Sequence, residues 1–474
     1  MKKRICMVLL AAGVVSLSAC NMGGKKENKK DEEKRDITIV YRSWDYGTEG
    51  QDNEERRMIQ AFEDTHKNIK IQICENVSSG NFYWDDIRAS VQSGLDCADV
   101  FMIPNMDWPL AAGYLRNIKE FTDADEEFAK VPDSIKSACS FKSGVYSLPA
   151  RMNLQGYFVN LTKVDQLLGI QTRNLSVNSP KEVIDQIVDA AYGNANIVGL
   201  NSAAHYIDTM PSVLDETGTY GYYSWDGSNY HLDSQAFIDS IHKANAMYSA
   251  KKTLDAYDDA DKAALGLDPE VDPTVDAWNK GKLALRHGYT YEIPDMLQKN
   301  ELGNSYKFIG NPGGKITIVG DYYGIFKNTT HPKEAYEFAK FMSFGSEGFD
   351  KRMDIYEEKG SVNSLPLTND EKVVDKYFDK YGSSSMMSGL EDAFEYIRTK
   401  SMVEGVKTIL GFNGARFTKK TGLTVGENTN CTMFDFLDSC YKGNAEISTQ
   451  ANGLNTLANT TYSNWIDMYG DQYE

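Results

Sequence analysis

Three times between residues 36 and 113, a short apolar strand pattern gives way to a helical one. Asp36-Ile-Thr-Ile-Val-Tyr41 is nearly continuous in apolar character, as a strand buried on both faces must be. Asn53 to Asp64 follows, with Met58, Ile59 and Phe62 on one stripe and Glu54 and Glu55 in the first turn, where the helix dipole favours acids. Asn68 to Ile73 reads as a second strand, and Asp85 to Ser93 as a helix stopped by Gly94. Ala98 to Ile103 is a third strand, halted by Pro104, before a helix ending near Gly113. Strands alternating with helices through short links predict an α/β fold with a parallel sheet. Ligands of such sheets sit beyond the carboxyl ends of the strands. Those ends are Ser43-Trp44-Asp45-Tyr46 and Asn105-Met106-Asp107-Trp108. Trp44, Asp45, Asn105, Asp107 and Trp108 are therefore candidate ligand contacts, each Trp a stacking ring and each Asp a hydroxyl acceptor. The competing reading is core packing and helix capping.

A second constraint lies in Tyr146-Ser-Leu-Pro-Ala-Arg-Met-Asn-Leu-Gln-Gly-Tyr-Phe-Val-Asn160. Pro149 lacks a ladder donor, so the first strand is expected to end or reach an edge there. Beyond it Arg151, Asn153 and Gln155 alternate with Met152 and Leu154, an extended segment with one polar face. We read it as the chain leaving one lobe and entering another, its polar face flooring the cleft between them. Arg151 and Asn153 are candidates on that floor, against the alternative of an inter-lobe structural hydrogen bond.

The chain has 474 residues and a net charge of −18, which argues against a nucleic-acid partner. The 28 tyrosines exceed the 20 phenylalanines, and Tyr suits wet binding surfaces because it buries a ring and keeps a polar tip. Lys2-Lys3-Arg4 and an apolar run from Ile5 to about Leu17 form a leader, too short to span a membrane. It ends in Leu17-Ser18-Ala19-Cys20, which resembles the bacterial lipobox and implies acylation of Cys20 after cleavage before it. Residues 1–19 are then a lipoprotein signal and 20–35 a disordered tether with too few apolar residues to bury anything. Five cysteines remain, an odd number without a CxxC pair, so buried free thiols are expected for most, with a Cys431–Cys440 bridge conceivable.

Further along, Asp226-Gly227 marks a hairpin turn before a long amphipathic helix from Asp233 to Ser249. Gly288-Tyr-Thr-Tyr-Glu292 supplies candidates Tyr289, Tyr291 and Glu292. Phe308-Ile-Gly-Asn-Pro312 is a second candidate crossing, and Ile316 to Ile325 reads as strand, loop and strand. The loop, Gly320-Asp-Tyr-Tyr-Gly324, adds Asp321, Tyr322 and Tyr323. His331-Pro332 opens another helix, and the remainder is mostly helical. The acidic stretch from Asp255 lacks the pattern of a calcium loop, and Gly281-Lys282 is no P-loop. No metal or cofactor is assigned.

Taken in order, several stretches resemble the family 1 extracellular solute-binding proteins, the receptors of sugar ABC importers. They are Ile87-Arg-Ala-Ser-Val-Gln-Ser-Gly94 with Ala98-Asp99-Val100 and Ala112-Gly113-Tyr114-Leu115; Tyr146-Ser-Leu-Pro149 with Tyr157-Phe-Val-Asn160; Trp278-Asn-Lys-Gly-Lys-Leu-Ala-Leu285; Gly310-Asn-Pro-Gly-Gly314; and the Pro332 to Phe344 helix. Cys97-Ala98, Ser147 and Leu285 depart from the family's usual Pro, Gly and Met. The resemblance implies a two-lobe periplasmic-binding-protein-like fold of type II, with lobe 1 at 36–150 and 313–358 and lobe 2 at 151–312 and 359–474. It also implies a non-catalytic monomer, held by lipid on the extracytoplasmic face of the cell membrane, that binds a carbohydrate and delivers it to importer permease subunits. A receptor for a peptide or other solute, and a secreted glycan-degrading enzyme, stay open as alternatives. The latter needs only two opposed carboxylates.

Overall fold

The computed structural model describes residues 37–45, 52–74, 81–92, 98–103, 105–172, 174–359, 364–381 and 388–473. The leader, Cys20, the tether, Tyr46, Cys97 and Pro104 lie outside them. Among the described residues nine strands form one sheet: β1 Ile37–Arg42, β2 Ile69–Ile73, β3 Val100–Ile103, β4 Leu148–Asn160, β5 Val198–Leu200, β6 Leu283–Tyr289, β7 Tyr306–Phe308, β8 Ile316–Ile325 and β9 Ser401–Val403. Their order is β2-β1-β3-β8-β4-β6-β5, with β9 beside β8 and β7 beside β4. β1 runs parallel to β2 and β3. Parallel neighbours need crossovers, and the helices Glu54–Thr65 and Asn81–Gln92 provide them. Asn53 caps the first, its side chain accepting from the Arg56 N–H, while Met58, Ile59 and Phe62 are buried beneath it.

The 13-residue β4 joins the two halves of the sheet. Leu148 to Gln155 pairs antiparallel with β8, and Gln155 to Val159 pairs with β6 on the other side. The strand continues through Pro149, where an end or an edge was expected. The register shifts between Asp321 and Tyr322, so that Tyr322 opposes Pro149, and this bulge absorbs the missing donor. The loop expected at 320–324 is likewise part of the continuous β8, flanked by β3 and β4.

The 308–312 passage lies directly against β4. Tyr157 N–H donates to Gly310 O at 2.9 Å, and Ile309 N–H donates to Tyr157 O at 2.9 Å. A Cβ on Gly156 would stand 2.7 Å from the Gly310 backbone, so only glycine permits this approach.

Side-chain alternation on β4 divides the apolar interior. Phe158 joins a cluster with Tyr41, Phe62, Phe101, Phe338 and Trp278. Its neighbours Tyr157 and Val159 join another with Tyr206, Phe237, Leu285, Phe412 and Met433. Fully burying a large apolar side chain stabilises by roughly 1.5–3 kcal/mol, so each cluster holds its half of the sheet firmly. Val374, Phe378 and Phe394 pack into the first cluster, whereas Leu437 and Leu454 pack into the second. Cys139, Cys431 and Cys440 are buried free thiols.

A third passage follows β9. Met106 N–H donates to Lys407 O at 3.0 Å, on the first-cluster side. Phe412 and Ala415, a few residues on, belong to the second cluster.

Candidate ligand site

Asp45 leaves the end of β1, and Asn53 Nδ2 donates to its carbonyl at 2.9 Å. The Arg151 guanidinium, on β4, lies 3.1 Å from the Asp45 carboxylate and 3.3 Å from that of Glu55. Asp321 sits opposite Arg151 across the β4–β8 ladder. It accepts from Lys407 Nζ at 2.5 Å, and Glu404 stands 3.6 Å from the same ammonium. Desolvation lifts the Asp45 carboxyl to about 6, against the pull of Arg151. It lifts Glu404 to about 7, with Lys407 opposing and Asp321 adding to the rise. Burial opposes the charge on Arg151, but Asp45 and Glu55 outweigh it and hold the group protonated.

Aromatic surface stands next to these charges. Tyr289 and Tyr291 stack with centroids 5.0 Å apart and planes 10° apart. Gln155 Nε2 donates to Tyr289 OH at 3.3 Å. Tyr291 is 50% exposed and presents its ring to solvent. Glu292 turns back to accept from Tyr289 N–H at 2.8 Å and pairs with Arg286. Desolvation raises the Tyr291 hydroxyl, followed by Tyr289 and Glu292, with smaller contributions from Glu404 and Asp321.

A cavity of ≈ 360 Å³ adjoins Tyr289, lined by Gln155, Asn201, Ser202, Asp208, His287 and Arg416 among others. It opens at the carboxyl ends of β5 and β6. The His205 and His287 rings stack there at 3.4 Å, and Tyr157 OH lies 2.8 Å from His205 Nε2. Desolvation holds His287 down to about 3 and keeps His205 neutral as well. Arg416 pairs with Asp208 and packs against the Tyr223 ring 4.8 Å away. Gln155 Oε1, His287 Nε2 and Arg416 Nε are buried without hydrogen-bond partners. Unpaired buried polar atoms are costly, and these three belong to residues that line the same cavity.

The sequence candidates separate accordingly. Asp45, Arg151, Asp321, Tyr289, Tyr291 and Glu292 come together. Asn153 is 8% exposed and accepts from Thr290 Oγ1 at 3.0 Å, fastening β4 to the end of β6. Tyr322 and Tyr323 are each 1% exposed and belong to the core, because the expected loop is strand. Trp44 is half-buried against the first cluster. Asn105 Oδ1 accepts from Trp108 N–H at 3.5 Å. Asp107 accepts from Gly411 N–H at 2.8 Å, and Trp108, with Arg88 4.5 Å above its ring, lines a different cavity beside Trp465 and Tyr469.

The profile of the bacterial extracellular solute-binding proteins matches residues 46–344. The chain belongs to this family. As a solute-binding protein it also has close counterparts in fold. An ABC substrate-binding protein of Listeria monocytogenes in complex with cycloalternan is 15% identical, with a TM-score of 0.60 over 92% of this chain and 99% of that one. A sugar transporter of Rhizobium etli in an open conformation is 14% identical, with a TM-score of 0.63 over 89% and 99%. The galacto-N-biose/lacto-N-biose I-binding protein of Bifidobacterium longum, with lacto-N-biose bound, is 14% identical, with a TM-score of 0.59 over 92% and 98%. These likenesses establish the two-lobe fold. An uncharacterized ABC transporter extracellular-binding protein of Pyrococcus horikoshii is 39% identical over 84 residues, which are 17% of this chain and 19% of that one. Among the described residues no helix is long and apolar enough to cross a membrane.

Sequence reading of this solute-binding protein missed Asp208, Glu404, Lys407 and Arg416. Glycines at 405, 411 and 414 were the available signal that the 405–418 stretch is a passage and not plain helix.

Proposed function

We propose that this solute-binding protein is the receptor of a carbohydrate ABC importer and holds its sugar between the two lobes. The observation that carries the reading is the Tyr289–Tyr291 stack beside the Asp321–Lys407–Glu404 group. A pyranose has an apolar C–H face and a rim of hydroxyls. A stacked ring fits the face, and charged side chains with free acceptor or donor capacity fit the rim. The sugar-bound neighbours in Listeria and Bifidobacterium support the same ligand class. Asp45, Arg151, Tyr289, Tyr291 and Asp321 are the contacts we assign, with Asp208, Glu404, Lys407 and Arg416 added.

The assigned contacts come from the ends of β1 and β6, from β4 and β8, from the helix after β5 and from the passage after β9. A guest touching both halves favours the closed state by its differential affinity for that state. The closed state is what importer permease subunits would recognise. The lobe boundaries near residues 150 and 312 and acylation at Cys20, which would hold the receptor at the extracytoplasmic membrane face, are parts of the same proposal.

A thermal-shift survey across saccharides, amino acids and peptides tests it. The expected result is stabilisation by saccharides alone. Stabilisation by peptides with none by sugars would replace the carbohydrate assignment, and hydrolysis of a bound glycan would replace the receptor one.

A further inference from the structure

We propose that the guest is a saccharide without acidic groups, either neutral or amine-bearing, and that Glu404 enforces this choice. The inference rests on the sugar-receptor reading above. Its basis is an imbalance of charge and of hydrogen-bonding capacity around the site.

Among the described residues, the interacting charged groups are the carboxylates of Asp45, Glu54, Glu55, Asp208, Asp321 and Glu404 and the cations Arg151, Arg352, Lys407 and Arg416. Six acids face four cations, and every cation is already engaged. Arg151 serves Asp45 and Glu55, and Lys407 serves Asp321 and Glu404. Arg352 lies 2.6 Å from Glu54, and Arg416 pairs with Asp208. Glu292 and Arg286 cancel one another. His205 and His287 are held neutral by burial.

Two unpartnered acceptors point the same way. Glu404 Oε1 is buried without a hydrogen-bond donor, and its nearest cation, Lys407 Nζ, is 3.6 Å away. Gln155 Oε1 is a second unpartnered acceptor. Acceptors of this kind take a hydroxyl or an ammonium, both of which donate. A guest carboxylate only accepts, and would bring like charge against an acid that has no cation to spare. Arg416 Nε is a free donor, but Asp208 neutralises its guanidinium and Tyr223 and Phe412 cover it at 4.8 and 5.7 Å.

The test uses the full chain in detergent and calorimetric titration with matched saccharides. Each pair shares one backbone and differs only in carrying a hydroxymethyl or a carboxylate group; amine-bearing analogues are added. At pH 8 both Asp45 and Glu404 are ionised, their carboxyls lying at about 6 and about 7. The expected result is binding of a neutral or amine-bearing sugar, with its uronate partner at least about tenfold weaker. Glu404→Gln should narrow that ratio and weaken any amine-bearing sugar, with the melting temperature monitored to confirm folding. Asp45→Asn, tested in parallel, should narrow the ratio less. A uronate binding as tightly as its neutral partner overturns the inference and leaves the sugar receptor standing. A ratio unmoved by Glu404→Gln removes Glu404 as its cause. Failure of every saccharide to bind overturns the receptor reading and the inference together.

Discussion

Arg151 Nη2 donates to Glu55 Oε2 at 3.3 Å, and the Glu55 side chain is only 2% exposed. The helix after β1 is thereby bound to the strand that joins the two halves of the sheet. Glu55 also accepts from the buried Tyr41 hydroxyl. Replacing Arg151 with Met would leave Glu55 and Asp45 without their shared cation. Breaking a buried pair from one side costs about 3–5 kcal/mol, and the partial exposure of Asp45 places this case near about 3 kcal/mol. Chemical denaturation measures it, and a loss below about 1 kcal/mol would show that water or Arg352 replaces the guanidinium.

Gly156→Ala tests the contact between the two passages. The added methyl meets backbone at Gly310 and not a movable side chain. Overpacking of this kind costs typically about 1–3 kcal/mol, and the strands must separate to relieve it. Unfolding in denaturant should show that loss, accompanied by faster exchange of the Tyr157 and Ile309 amides. An unchanged midpoint would mean that the passages do not touch.

Asp107 gives a pH-dependent prediction. Desolvation raises its carboxyl from 3.8 to about 7, against hydrogen bonds from the Gly411 and Asn413 backbone. The folded state therefore binds a proton that the unfolded state has already released between roughly pH 4 and 7. Its contribution favours folding less as pH rises across that window, by at most about 4 kcal/mol. Asp107→Asn keeps an acceptor for Gly411 and removes the titration. The variant should gain stability relative to the parent between pH 5 and pH 8, by about 2 kcal/mol or more. A difference that stays flat with pH would place the carboxyl at its ordinary value.

Tyr291 separates binding from folding. Half of it is solvent-exposed, and its ring stacks on that of Tyr289. Tyr291→Ala should shift stability by less than about 0.5–1 kcal/mol. Affinity for the saccharide should fall by about 1–2 kcal/mol, the scale of a lost stacking surface. Thermal melts and calorimetry on one preparation decide this, and equal affinity in the variant would take Tyr291 out of the site.

The strand–helix alternation was readable because each segment from Ile37 to Ile103 carries its own periodicity. Asn53, the Met58–Phe62 stripe and Gly113 mark boundaries by local chemistry that needs no distant partner. The extended segment was readable from the alternating Arg151, Asn153 and Gln155. Pro149 and the Gly320–Gly324 stretch misled for one reason. A bulge in the ladder between β4 and β8 absorbs the proline, and it is a property of the pair of strands, not of either alone. Asp45 could be named because it follows a strand end, Arg151 because it lies on the polar side of an alternating segment, and Asp321 from a loop reading that the strand replaces. Glu404, Lys407 and Arg416 could not, since their segment has weak helical character and becomes part of the site only through contacts with Met106, Asp321 and Asp208, far away in sequence. Asp107 was visible as a polar residue after a strand, but its partner Gly411 was not.

Small-angle X-ray scattering, with and without a saccharide shown by calorimetry to bind, tests most directly whether the guest sits between two lobes that shut upon it. The account predicts a smaller radius of gyration at saturation, and loss of that change when Tyr289→Ala removes binding. Superimposable curves from the free and saturated protein would contradict it.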